Sequence, residues 1–152
     1  MTDLAIARAA HVLAVVLWIG GVAMVTMVVI PAARRHADPK LFERVEQIFA
    51  AQTRWTLLVA GISGLYMVER LELWARFAEP RFWWMHAMVG LWLVYALALF
   101  VLEPFVFRKR FAEHLQRAPD EALRRMSRHH WLVLALSLAT VAGAVAGSHG
   151  LI

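Results

Sequence analysis

The sequence predicts an all-α integral membrane protein, a bundle of four transmembrane helices with both termini on the outer, periplasmic side. Three observations carry that expectation. Hydrophobic residues make up 61% of the 152 and charged residues only 18%, below the roughly 25% charged of soluble domains. The apolar residues fall in long runs at 9–31, 82–102 and 131–148, each close to the roughly 20 residues that cross a bilayer core. The basic residues collect on alternate connections, the pattern that sets membrane topology.

The first span covers about 5–31. It is too long for the apolar core of a signal peptide and has no small-residue cleavage site followed by a soluble chain, so it reads as a retained helix. The second, about 48–69, lies in "IFAAQTRWTLLVAGISGLYMV". Its uncharged part is short, and Arg54 extends it by snorkelling to the interface. The third span is about 82–105 and the fourth about 130–149. No internal repeat divides residues 1–152, which read as a single domain. The chain has no cysteine, which excludes disulfides, iron–sulfur clusters and thiolate metal sites.

Four spans put the 31–54 and 105–130 connections on one side. That side holds twelve of the 16 basic residues, and the other side holds only Arg8, Arg70, Arg76 and Arg81. The basic side is therefore the inner one, which in a bacterium places the chain in the inner membrane. Trp74, Trp83 and Trp84 then stand at the outer interface, and Trp55 and Trp131 at the inner one. The inner connections read as amphipathic helical extensions near the headgroups, with His36, His114 and His129 solvated among them. The net charge of +5 is thus a topology device with a pull toward anionic lipid, and nucleic acid is not an expected partner.

Ionisable groups inside spans are functional-site candidates, because burying them is costly unless they are paired. His11 lies near the outer end of the first span, in "RAAHVLAVVLWIGG". His86, in "FWWMHAMVG", lies about a turn into the third span, roughly 6 Å deep. His149, in "AGSHGLI", closes the fourth. Three imidazoles in one outer layer suit haem, whose iron takes axial histidines, or a bare copper or zinc ion. The expected pair of ligands is His11 and His86, with His149 either a third contact or a ligand in place of one of them. Gly21 and Gly90 make room for a flat macrocycle, Trp18 borders it, and the outer arginines either face its propionates or anchor the helices at the headgroups. Small residues equally serve close helix packing. At the inner end, Glu103 before Pro104 is placed to pair with Arg54.

The segment "AHVLAVVLWIGGVAMVTMVVIPAARR" resembles the first span of the superfamily that groups CopD-type copper-resistance membrane domains with HemJ-type protoporphyrinogen oxidases. "WTLLVAGISGLYMV" and "FWWMHAMVGLWLVYALALFVLEP" resemble the spans that follow. The resemblance implies a compact four-helix core and a haem-binding role for His11. Where the HemJ-type third helix carries a lysine, this chain has Met88, which favours His86 as second ligand over protoporphyrinogen IX oxidation.

The expected function is a small b-type cytochrome with bis-His haem b near the periplasmic face, acting in electron transfer or as a haem-dependent oxidoreductase. Copper transport or handling of the CopD type and HemJ-like oxidation are the alternatives, beside a scaffold whose histidines bind nothing. The expected partners are membrane lipid, a quinone or a periplasmic redox protein, and a second copy of the chain.

Overall fold

Helix α1 runs from Thr2 to Arg35, since no proline interrupts the chain before Pro31 and apolar side chains occupy every side of the rod. The structure, a computed structural model, describes residues 2–36, 39–107 and 117–150. Within α1 the backbone is α-helical over Thr2–Met24, widens to a π-helix over Val25–Val29 and returns to α over Ile30–Arg35. Pro31 accounts for the widening. It offers no N–H to the carbonyl four residues back and its ring crowds that carbonyl, so the turn before it absorbs an extra residue. With 34 residues, α1 is about 51 Å long, well beyond a hydrocarbon core of about 30 Å.

Helix α2, Pro39–Arg70, begins on a proline, where the missing N–H is one of the unbonded groups of a helix start anyway. Only three residues separate it from α1, so the two lie antiparallel and pack along most of their length. The chain then passes Glu72, in left-handed conformation, and two 3₁₀ turns, Leu73–Ala78 and Pro80–Phe82. Helix α3 is α-helical over Trp83–Ala96 and continues as a π-helix over Leu97–Phe107. Helix α4 is Pro119–Ser148.

Helices α3 and α4 form the second pair. Gly143 and Gly147 lie one turn apart on α4, and the indoles of Trp83 and Trp84 rest where their side chains would be. Small residues four apart are how helices approach closely in lipid. One apolar cluster then joins Trp18, Ile19 and Val22 of α1, Leu57 of α2, Tyr95 of α3 and Leu134 of α4. A second, at the basic end, joins Val29, Ile30 and Ala33 of α1 to Phe42 of α2 and to Ala122 and Leu123 of α4.

The outward faces are apolar too. Leu13 is 62% exposed and Ile62 70%, an arrangement that water penalises and lipid does not. Among the described residues all regular structure is helical, and three helical stretches are long and apolar enough to cross a membrane: Thr2–Arg35, Pro80–Glu103 and Pro119–Ser148. The expected second span is helical throughout, yet α2 is not among the three, because Arg44, Glu46, Gln47, Gln52 and Arg54 interrupt its first half. The expected helical extensions are present in residues 31–35, 39–47 and 119–130. Residues 108–116, including His114, lie outside the described ones, while His36 and His129 are exposed.

Trp55, Trp74, Trp83 and Trp131 are exposed. Trp84 is the correction, 8% exposed rather than anchored at the surface, because its ring fills the gap at Gly147. A methyl at that position collides with a rigid indole, so Gly147→Ala should cost about 1–3 kcal/mol. Gly20→Ala, at an open helical position, should instead gain about 0.5 kcal/mol from backbone entropy. Thermal unfolding in detergent checks both; equal effects would remove the packing role assigned to Gly147.

Candidate functional site

His11 sits in the third turn of α1, and its ring crosses to α2. Nδ1 lies 2.9 Å from the Ala60 carbonyl oxygen and 3.3 Å from Ser63 Oγ. The Ser63 hydroxyl donates to the Val59 carbonyl, so toward His11 it accepts, and a carbonyl oxygen only accepts. Both partners therefore require the proton on Nδ1. In the neutral ring the lone pair is then on Nε2, and Nε2 makes no hydrogen bond among the described residues. Gly64 completes the seat: a Cβ there would come within 3.2 Å of His11 Cε1.

The other expected ligands have different surroundings. His86 is exposed, its ring edge-on to Phe77 with centroids 5.3 Å apart. His149 is exposed at the end of α4, its Nδ1 2.8 Å from the Val145 carbonyl oxygen and 3.2 Å from Ser148 Oγ. The three histidines stand on three different helices, each with partners of its own. Among the described residues no group of three His, Cys, Asp or Glu is arranged to hold a metal ion.

Trp18 is buried with its ring perpendicular to that of Tyr95, centroids 4.7 Å apart, and its Nε1 has no hydrogen-bond partner among the described residues. The room beside Gly21 is taken by the Phe49 ring of α2, whereas Gly90 is open, on the same outward face as His86 one turn away. Of the four arginines expected to face the propionates, two are engaged with carboxylates. Arg70 binds Asp3 at 3.0 Å, where the Tyr66 hydroxyl also donates, and Arg81 binds Glu79 at 2.7 Å.

At the other end the expected ion pair is present. Arg54 Nη2 is 2.7 Å from Glu103 Oε2, and Arg54 Nε donates to the Leu99 carbonyl at 3.3 Å. The second bond follows from the π-helix. In an i→i+5 ladder the partner of the Leu99 carbonyl is residue 104, a proline without an N–H. Pro104 thus frees a carbonyl in apolar surroundings, where an unsatisfied group is costly, and the planar fork of Arg54 reaches it together with Glu103. Arg54 is thus held by α3.

Sequence reasoning found this pair but missed the seat of His11. Ser63 and Gly64 read only as small residues, and the decisive acceptor is a backbone carbonyl, which any residue carries.

The profile of the domain of unknown function DUF4149 matches residues 13–114, more than half of the chain. The chain belongs to that family. The matched stretch contains His86, Trp18, the His11 seat on α2 and both members of the Arg54–Glu103 pair, while His11 itself and α4 lie outside it. No curated protein and no solved structure matches the chain.

The fork predicts a measurable coupling. Arg54→Met, Glu103→Gln and the double variant should give an interaction energy of about 1–3 kcal/mol by thermal unfolding, each single variant leaving a polar group stranded. Arg54→Lys keeps the charge but reaches only one of the two acceptors, so it should also destabilise. A double variant equal to the sum of the singles would show that the pair is not coupled.

Proposed function

We propose that the chain is a four-helix protein of a bacterial inner membrane, both termini outside, that binds haem b with His11 as an axial ligand. Its role is electron exchange with a quinone or a periplasmic redox partner. The observation that carries the proposal is the hydrogen bond from His11 Nδ1 to the Ala60 carbonyl. Histidines that ligate a metal usually give their other ring nitrogen to a carbonyl or carboxylate, which fixes tautomer and ring plane and raises ligand basicity. His11 has that arrangement, and Nε2 is the atom left for iron. When bound, haem supplies the redox chemistry; the chain's part is to hold and orient it in apolar surroundings. The resemblance of residues 10–35 to the CopD and HemJ first span points to the same histidine, and the basic residues at the opposite end support the orientation.

His86 takes the second axial position in this reading. It now faces outward against Phe77, so ligation within one chain requires α3 to turn, and ligation between copies requires a second chain on that face. Copper would use the same Nε2 but needs further donors, and no group of three gathers among the described residues.

Protein purified from haem-replete cells should show a Soret band and a b-type pyridine haemochrome. His11→Ala should lose the haem while keeping its helical circular dichroism. With His86 as second ligand the reduced protein is six-coordinate and low-spin, and His86→Ala becomes five-coordinate. A folded, colourless wild-type preparation overturns the haem reading. Stoichiometric copper in such a preparation, lost in His11→Ala, decides for the rival.

A further inference from the structure

At the basic end of the molecule α1 and α4 meet through Val29, Ile30, Ala33, Ala122 and Leu123, and beside that contact their exposed basic residues leave a space. Between them lies an open cleft of about 490 Å³ lined by Arg34 of α1 and by Glu121, Arg124, Ser127 and Arg128 of α4. A second cleft, of about 380 Å³, adjoins it on the other side of Arg34 and is lined by Pro31, Arg35 and Asp120. Asp120 stands in the first turn of α4, where the helix dipole favours an acid. Its two oxygens hold Arg34 Nε and Arg124 Nη1, each at 3.4 Å. One carboxylate thus draws guanidiniums from two helices to the same place without using up their donors. Arg128 makes no ion pair or hydrogen bond among the described residues. The first cleft presents three arginines and a hydroxyl against a single glutamate.

We propose that these clefts are the headgroup site for the phosphodiester of an anionic membrane phospholipid, with its acyl chains lying along α1 and α4. The chemistry of the lining fits a phosphate, since guanidinium forks match phosphate oxygens bidentately and basic pockets between membrane helices bind such headgroups. What favours a lipid over free phosphate is the wall that continues from the cleft. Met27 and Val28 stand two turns from Arg34 and Arg35 on the same faces of α1, and Leu132 stands one turn from Arg128 on α4. All three are exposed apolar side chains, and they run in the direction that acyl chains take from a headgroup. The site is independent of the haem reading.

Native mass spectrometry of the full chain in detergent tests it, with dioleoylphosphatidylglycerol and dioleoylphosphatidylcholine as probes at equal concentration. The anionic lipid should remain bound after the zwitterionic one has left. Arg128→Gln should weaken its binding about fivefold and Arg124→Gln with Arg128→Gln about thirtyfold. Arg8→Gln, at the opposite end, should leave binding unchanged. Equal retention of the two lipids, or undiminished binding in the double variant, would overturn the site. Displacement of the lipid by millimolar inorganic phosphate would overturn its assignment to a lipid, and resistance to phosphate supports it.

Discussion

The rest of the structure depends on one constraint: in apolar surroundings every backbone polar group needs a partner inside the protein. A regular helix meets this alone, but both long apolar helices that contain a proline break their own ladders. In α1 the break at Pro31 is absorbed by a single π turn. In α3 the π-helix surrounding Pro104 leaves the Leu99 carbonyl open, and Arg54 of α2 closes it. An arginine is suited to the task because its rigid fork serves the carbonyl and Glu103 at once. That contact also explains why a charged residue is tolerated in α2, and it ties the two helical pairs together.

Where lipid replaces water the hydrophobic effect no longer drives one helix onto another, so shape has to do it. The solution is asymmetric. Large rings from one helix enter spaces left by glycines on another: Trp83 and Trp84 at Gly143 and Gly147, Trp92 at Gly61, Phe49 at Gly21. The indole of Trp92 also donates to the Leu57 carbonyl at 2.8 Å, so packing and polar satisfaction coincide. Ser137 follows the same economy, donating to the Val133 carbonyl of its own helix and lying 3.4 Å from the Tyr95 hydroxyl across the interface.

His11 belongs to the same logic. Its ring is accommodated by Gly64 and held by Ala60 and Ser63, so a side chain that costs free energy in an apolar helix is oriented with one nitrogen committed. A bound ring of this kind differs from a surface histidine that samples rotamers freely. The end of the molecule opposite the basic one also carries the Asp3, Tyr66 and Arg70 cluster, which fastens the start of α1 to the end of α2.

Much was legible in the chain order alone. Apolar runs of bilayer length determined the helices and their approximate limits, and Arg54 and Glu103 were paired from depth, because a lone charge there has few acceptable partners. The weaker apolarity of the second segment was also visible, in the charged and amide residues of its first half. What only the tertiary structure decided is rotation about the helix axes. Counting along a span gives depth but not the face a side chain shares with a neighbour once that span is apolar all round, since no polar stripe marks the inside. Hence His11 and His86 counted to one outer layer yet point to different neighbours, Gly21 and Gly90 read alike yet one is filled and one open, and Trp84 turned inward while Trp83 stayed exposed. The sequence by itself determined a set of long apolar helices, their order and their basic end, because length and hydropathy are properties of single segments. Which residues meet was decided by packing between helices, because that depends on all of them together.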